Sequence, residues 1–211
     1  GDALVIAFVS ASLTARIGGL FSSSRNESVS GRRLVVGDIH GCSRTFRSLL
    51  ENELSVSSAD HVYLLGDLVS KGPDSFGVVR YVEEMEAAGV SVTIVRGNHE
   101  EAILRARDAG KGKLKTMLER TNNTALLDSE TAKKLDPRWE RMFEKSEYAV
   151  VLPDAILVHG GLDLSSPDPY ADGPDIVNRR DTVYDAAAAG NRIVVHGHTR
   201  TALSVPIERL V

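Results

Sequence analysis

Five short segments of the chain combine glycine with aspartate, asparagine or histidine. They read GDIHG at 37–41, GDLVSKGP at 66–73, RGNHE at 96–100, HGG at 159–161 and HGHT at 196–199. Carboxylates, imidazoles and one amide oxygen, with no thiolate among them, suit divalent manganese, iron, zinc, cobalt or nickel. These ligands are too many for one tetrahedral ion, and they fit two ions that share a bridging carboxylate. Because such ion pairs activate water and bind phosphoryl oxygens, the predicted chemistry is hydrolysis of a phosphate ester or anhydride.

Each of these segments follows an apolar run of strand length, and helical spacing separates several of the runs. Residues 42–54 and 75–89 have the periodicity of amphipathic helices, and a Pro-Asp turn divides two strands within 148–161. This alternation is typical of an α/β fold. Ligands in open α/β sheets bind beyond the carboxyl ends of the strands. We therefore expect one rim to carry Asp38, His40, Asp67, Asn98, His99, His159, His196 and His198.

The arrangement of the elements can be predicted more coarsely. We expect two β-sheets packed face to face, with helices outside. The charged, helical run at 100–147 is expected to flank the groove as a cap where substrate choice is encoded. The apolar run at 3–9 is expected to form a buried strand followed by a linker, and a targeting leader is the alternative.

Composition excludes several classes of protein. The 211 residues are 42% hydrophobic and 26% charged, which is typical of a globular chain with a full core. A net charge of −4 argues against a nucleic-acid partner or a polybasic membrane patch. The single cysteine, Cys42, excludes an intramolecular disulfide framework and a cysteine-rich zinc site. We expect an intracellular, cytoplasmic protein with no DNA or membrane partner, and the oligomeric state stays open.

Taken in order, the five segments resemble those of the calcineurin-like metallophosphoesterases. More narrowly, they are similar to the phosphoprotein-phosphatase branch and to its ApaH-like relatives, the symmetrical diadenosine tetraphosphatases. The resemblance covers about residues 33–200. It implies the α/β class with the family's β-sandwich flanked by helices. The expected division is an N-terminal strand and linker at 1–31 and a metallophosphoesterase domain at 32–211.

The resemblance also implies a role for each matching residue. Two divalent ions are implied, with manganese favoured and iron, zinc, cobalt or nickel as alternatives. The first ion would be held by Asp38 and His40, and Asp67 would bridge the two. The second would be held by Asn98, His159 and His198. His99 would be the general acid that protonates the leaving oxygen.

Three basic residues match the positions that bind phosphate in the relatives. They are Lys71, Arg96 and Arg179, and Arg180 is the alternative to Arg179. Lysine acts there as a point charge, whereas arginine can bind two oxygens at once. The implied partner is a small phosphoanhydride or another phosphorylated substrate.

Two departures from the family pattern bear on the substrate. Many protein phosphatases of this branch carry Asp-Arg where this chain has Ser70 and Lys71, and that aspartate orients the catalytic histidine. A serine followed by Lys-Gly-Pro is similar to the nucleotide-cleaving group, although Arg96 and Glu100 match the protein-phosphatase form. We therefore expect cleavage of diadenosine tetraphosphate or a related nucleotide. The alternatives are a serine/threonine phosphoprotein phosphatase and a non-catalytic phosphate-binding scaffold, which the complete ligand set disfavours.

Three further residues near these segments are not expected to take part in the chemistry. Cys42 and His61 are expected to pack without chemistry, and His196 is expected to be structural or to support a ligand.

The relatives continue through further strands after the Gly-His pair, whereas 13 residues follow His198 here. Truncation, missing segments, or a final strand placed first at residues 3–9 would each explain this difference.

Overall fold

A computed structural model describes residues 31–110, 112–171 and 173–199 of the chain. Its first sheet contains three parallel strands in the order β1-β2-β3. The strands are β1 (Arg33–Val36), β2 (His61–Leu64) and β3 (Ser91–Ile94). Leu34 lies beside Val62, which lies beside Val92, so the strands are in register and their carboxyl ends lie side by side.

The second sheet also contains three strands, in the order β4-β5-β6. They are β4 (Ala149–Val151), β5 (Ala155–Val158) and β6 (Ile193–His196). Strand β4 pairs antiparallel with β5 through the predicted Pro-Asp turn, and β5 pairs parallel with β6. The predicted α/β class with two sheets is therefore confirmed.

The two sheets pack against each other through one face of each. Successive side chains of a strand point to opposite faces, so alternate residues enter the space between the sheets. A buried cluster there joins Val35, Tyr63, Leu65, Val95, Ala155, Leu157 and Val195. This layer is the interior of the expected β-sandwich.

Helices cover the outer faces of both sheets. On the first sheet, Leu34, Val36, Val62 and Leu64 belong to the larger core cluster, which also includes helical residues. Its helices are α1 (Ser43–Ser48), α2 (Ser75–Ala87), α3 (Asn98–Asp108), α4 (Lys113–Arg120) and α5 (Pro137–Lys145). Helix α1 continues as a π-helical turn, Leu49–Glu53. On the second sheet, Ile156 and Val158 pack with Ile176 of the short helix α6 (Gly173–Ile176).

The predicted helical run at 100–147 corresponds to α3, α4, a 3₁₀ turn at Thr124–Leu126, and α5. Leu118, Trp139 and Phe143 are fully buried in the larger core, so this run packs as part of the outer layer. The predicted strand at residues 3–9 lies outside the described residues. Within the described part of the chain, no helix has both the length and the apolar character needed to cross a membrane.

Candidate metal centre

The carboxyl ends of five strands bring the predicted ligands together. The loop after β1 carries Asp38 and His40, and the loop after β2 carries Asp67. The remaining ligands follow β3, β5 and β6, and they are Asn98, His159 and His198. Parallel pairing aligns these ends, so residues far apart in sequence share one edge of the sandwich.

Asp67 lies at the centre of the cluster. Its Oδ2 atom is 3.5 Å from Nε2 of His40, and its Oδ1 atom is 3.4 Å from Nε2 of His159. The ligand atoms of Asp67, His40 and His99 lie within 4.8 Å of one another, and so do those of Asp67, His159 and His198. One carboxylate therefore faces two separate donor groups, which is the arrangement that a pair of ions requires.

Asp38 and Asn98 complete the two groups. Oδ2 of Asp38 is 3.7 Å from Nε2 of His40. Oδ1 of Asn98 is 3.0 Å from Nε2 of His159 and 3.0 Å from Nδ1 of His198. With its amide turned over, Asn98 would donate to these atoms instead, whereas a bound cation requires the oxygen to point inward. The structure thus brings all six predicted ligands into one cluster.

Hydrogen bonds to backbone carbonyls fix the ligating nitrogens of two histidines. Nδ1 of His159 donates to the carbonyl of Leu65 at 2.6 Å, and Nδ1 of His40 donates to that of Val69 at 3.3 Å. Each ring therefore keeps its Nε2 lone pair directed at Asp67. Burial, followed by the charge of Lys71, lowers the pKa of His40, which favours the neutral form that binds metals.

Buried charge is costly at this centre in the absence of a cation. Burial, reinforced by the neighbouring Asp38, raises the pKa of Asp67 to about 7. Burial, followed by the nearby His159, lowers the pKa of His198. Both shifts favour uncharged side chains, because burial disfavours the carboxylate of Asp67 and the imidazolium of His198 alike. A divalent cation would balance the carboxylates, so the donor set fits the implied ions.

Several ligands are held in a backbone conformation that side chains rarely adopt. His40, Asp67 and His198 have φ values of +46°, +49° and +58°. Such left-handed residues cost free energy and persist only where the surrounding structure holds them, as at binding sites. Beside Asp67, Gly66 has a φ of +86°, and a Cβ there would lie 2.4 Å from the nitrogen of Gly97. The loops after β2 and β3 therefore touch through their backbones.

Glu100 supports the site in a way that the sequence reasoning missed. Its side chain is fully buried, and Oε2 accepts hydrogen bonds from the amides of Asp67 at 2.8 Å and Gly97 at 3.1 Å. Its Oε1 accepts from Leu68 at 2.9 Å and Val69 at 3.4 Å. One carboxylate thus joins both loops that carry central ligands. An acidic residue three positions after Gly97 is a helix-capping signal that could have revealed it.

We expect Glu100→Gln to destabilise the fold by about 2–3 kcal/mol, because an NH₂ group would then face buried backbone N–H donors. Urea denaturation measures the loss of stability. The matched control is Glu119→Gln, at an exposed position of α4. A loss below about 0.5 kcal/mol, the range of ordinary surface substitutions, would contradict the structural role given to Glu100.

A cavity of about 500 Å³ opens beside the cluster. It is lined by Lys71, Asn98, His99, Arg180, His198 and Thr199. Nζ of Lys71 lies 2.7 Å from Nε2 of His40, so the predicted lysine does reach the site. The arginine on the cavity is Arg180 and not the favoured Arg179, whose Nη1 is directed at Asp163 at 3.8 Å. The structure therefore favours Arg180, the alternative, over Arg179 as the arginine beside the cluster.

Arg96, the third predicted phosphate ligand, points away from the cavity. Its guanidinium donates to Ser146, Glu101 and Tyr148 at 3.0–3.2 Å. Two more hydrogen bonds go to the carbonyls of Glu144 and Ser146. All five N–H groups are therefore used in joining α3 to the segment after α5. The residues that line the cavity do not include Arg96, and its predicted contact with phosphate stays a prediction.

His99 lines the cavity next to the central carboxylate. Its Nε2 lies 3.8 Å from Oδ2 of Asp67, and its backbone amide donates to Oδ1 of Asp67 at 3.0 Å. Burial, followed by the charge of His40, lowers the pKa of His99 to about 4. Ser70, which stands where the relatives carry the orienting aspartate, has its Oγ bonded to Nδ2 of Asn123 at 2.7 Å. In the described part of the chain, no carboxylate accepts a hydrogen bond from this imidazole.

Three other residues near the motifs have structural surroundings. Sγ of Cys42 lies 3.8 Å from the carbonyl of His40. Nε2 of His61 lies 2.8 Å from Oγ1 of Thr93, and its ring stacks on Tyr63. His196, which we expected on the rim, is exposed, and its Nδ1 lies 3.1 Å from the carbonyl of Gly197.

Known proteins share both the sequence pattern and the fold. A bis(5'-nucleosyl)-tetraphosphatase, symmetrical, of Edwardsiella ictaluri is 37% identical over 100 residues, covering 45% of this chain and 35% of that protein. The protein of the same description from Erwinia tasmaniensis is 44% identical over 82 residues, which cover 39% of this chain and 28% of that protein. This chain therefore matches about a third of the length of these curated relatives.

A solved structure and a family model extend the comparison. A crystal structure provisionally described as a diadenosine tetraphosphatase is 28% identical, with a TM-score of 0.50, covering 66% of this chain and 55% of that one. The family model described as calcineurin-like phosphoesterase matches residues 31–202. This match takes in both sheets and every ligand of the cluster. The chain belongs to the calcineurin-like phosphoesterase family, whose members use divalent metal ions.

Proposed function

We propose that this protein is a phosphohydrolase with two divalent ions that cleaves a phosphoanhydride of diadenosine tetraphosphate or a related nucleotide. The observation that carries this proposal is the position of Asp67, whose two oxygens face His40 on one side and His159 on the other. A carboxylate shared in this way fits two ions acting on one phosphoryl group. The names of the curated relatives support the nucleotide substrate.

The cluster divides into two ligand sets around Asp67. Asp38 and His40 would hold one ion. We propose manganese for both positions, although the carboxylate, imidazole and amide donors also suit iron, zinc, cobalt or nickel. The second ion would be held by Asn98, His159 and His198. When bound, the ions supply activated water and neutralise the phosphate.

Two cations of the protein would bind the phosphate oxygens. Lys71 and Arg180 both line the cavity, and they carry the positive charge that a polyphosphate requires. Arg180 can contact two oxygens with its planar guanidinium, whereas Lys71 acts as a single point of charge. Arg180 thus takes the place that we first gave to Arg179.

His99 would give a proton to the leaving oxygen, and its position on the cavity beside Asp67 supports this role. Its ring has no carboxylate partner in the described structure, and Ser70 is turned toward Asn123. An acid without such support serves a nucleotide leaving group better than a serine alkoxide, because the nucleotide leaves more easily without protonation. This reasoning favours the phosphoanhydride over a phosphoprotein, which stays the second candidate. A cytoplasmic location also stays a prediction.

A comparison of three substrates tests the proposal. Initial rates are measured with manganese on diadenosine tetraphosphate, a phosphoserine peptide and para-nitrophenyl phosphate, each repeated with a chelator. We expect the highest kcat/KM for the dinucleotide, and loss of all three activities with the chelator. Equal efficiency on the peptide would overturn the substrate preference alone. Absence of any hydrolysis with added metal would favour the non-catalytic scaffold.

A further inference from the structure

Asn123 connects the helical run to the loop that carries the central ligand. This residue lies between α4 and the 3₁₀ turn, and its side chain is almost fully buried. Its Oδ1 accepts from the amide of Ser70 at 3.3 Å, and its Nδ2 donates to Oγ of Ser70 at 2.7 Å. A third hydrogen bond runs from Nδ2 to Oγ1 of Thr121 at 2.8 Å. The amide group therefore holds both the backbone and the side chain of Ser70.

The segment held by Asn123 has an unfavourable backbone conformation. Ser70 and Lys71 are consecutive non-glycine residues with φ values of +71° and +66°. Left-handed residues of this kind persist only when the surrounding structure holds them. The Ser70 amide also donates to Oγ of Ser75 at 2.9 Å, but that contact is local, whereas Asn123 is 53 residues away. The conformation in turn directs Lys71 toward His40 and the cavity.

The backbone of Asn123 is itself well anchored. Its amide donates to the carbonyl of Leu118 at 2.7 Å, and its carbonyl accepts from Leu126 at 2.9 Å. Leu118 and Leu126 are fully buried in the larger core. The side-chain amide of Asn123 is therefore fixed to a rigid part of the fold, as a residue must be in order to set the position of another.

We propose that Asn123 is a positioning residue that fixes the Ser70–Lys71 turn, and through it the placement of the Lys71 ammonium for binding a phosphate. This proposal changes the role that we expected for residues 100–147, which was to select the substrate directly. The described cavity lining includes no residue of that run. The run therefore acts on the site from behind the loop after β2, where Asn123 bonds to Ser70 and Glu100 bonds to the amides of Asp67, Leu68 and Val69. This inference rests on the proposed function insofar as phosphate is the ligand that Lys71 binds.

The test compares Asn123→Ala with Leu114→Ala in the manganese-loaded protein. Leu114 is a buried residue of α4, and its replacement by alanine should destabilise the same run while leaving the hydrogen bonds of Ser70 in place. The first measurement is amide hydrogen exchange over residues 66–74, and the second is the Kd for inorganic phosphate by calorimetry. We expect faster exchange and a phosphate Kd raised about fivefold in Asn123→Ala alone, as the loss of about one hydrogen bond implies. KM for diadenosine tetraphosphate should rise with little change in kcat.

A double-mutant cycle with Lys71→Ala completes the test. If Asn123 acts through Lys71, then Asn123→Ala should leave the phosphate Kd of the Lys71→Ala protein unchanged. Should Asn123→Ala fail to fold, Asn123→Asp keeps an oxygen facing the Ser70 amide and is expected to show the same changes at smaller size. The inference would be overturned if amide exchange over 66–74 were unchanged in Asn123→Ala, or if Leu114→Ala changed exchange and phosphate Kd equally. It would also be overturned if the effects of Asn123→Ala and Lys71→Ala on the phosphate Kd were additive. If the wild-type protein binds no phosphate, the proposed function fails, and hydrogen exchange still decides whether Asn123 orders the turn.

Discussion

Asp67→Asn is expected to remove both tight metal binding and most of the hydrolytic activity. The amide retains one oxygen but loses the negative charge and the second donor that would join the two ligand sets. We expect the bound metal to fall from two ions per chain to one or fewer. The rate on diadenosine tetraphosphate should fall more than about 100-fold, because even groups that only support metal ligands contribute about 10–100-fold. Elemental analysis after dialysis and initial rates measure the two effects.

Asp128→Asn provides the matched control for this substitution. It makes the same chemical change in a turn outside the cluster, where the carboxylate accepts from the amide of Thr131 at 2.8 Å. Its metal content and rate should match those of the wild-type protein. Two ions per chain and a normal rate in Asp67→Asn would show that this carboxylate does not bridge.

His99→Ala is expected to separate the two substrate classes. Loss of a general acid slows reactions by about 10²–10⁴-fold when the leaving group is a poor one. We expect a loss of that size on a phosphoserine peptide, because serine leaves as a strongly basic alkoxide. The loss on diadenosine tetraphosphate should be distinctly smaller, since a nucleotide leaves as a weak base. Single-turnover rates on both substrates measure the difference.

His61→Ala is the control, because His61 lies outside the cluster and bonds to Thr93. It should change neither rate. The proposed mechanism also includes direct attack by water, with no phosphoryl group carried on the protein. An unchanged rate of phosphoserine cleavage in His99→Ala would show that His99 is not the acid. Labelled phosphate left on the quenched protein would rule out direct attack.

The sequence predicted the strands and the convergence of the ligands because both depend on local patterns. Runs such as 61–64 are apolar and short, and each ends at a glycine followed by a polar residue. Parallel pairing then dictates that Asp38, Asp67 and Asn98 meet at one edge. Because the strands pair in register, the fold class and the convergence of the predicted ligands could be predicted together.

The direction of long side chains could not be predicted in the same way. Arg96 and Arg179 lie in the right segments, but the partners that hold them, Glu101 and Asp163, are fixed only by the tertiary structure. Glu100 and Asn123 were missed for a related reason. Their hydrogen bonds cross 33 and 53 residues of chain. The capping spacing after Gly97 marks Glu100 as a helix cap, but it does not predict the bonds to the loop after β2.

The hydrogen bond from the amide of His198 to Oδ1 of Asp38 spans 160 residues and joins the loops of the two sheets. Contacts of such high contact order form late in folding, because the entropy of closing the loop must be overcome first. The predicted ligands also come from both sheets. Asp38, Asp67 and Asn98 follow strands of the first sheet, and His159 and His198 follow strands of the second. Half-folded chains therefore cannot chelate both ions. Divalent cations should act as reversible cross-links between the sheets, so that the melting temperature rises with cation concentration by mass action.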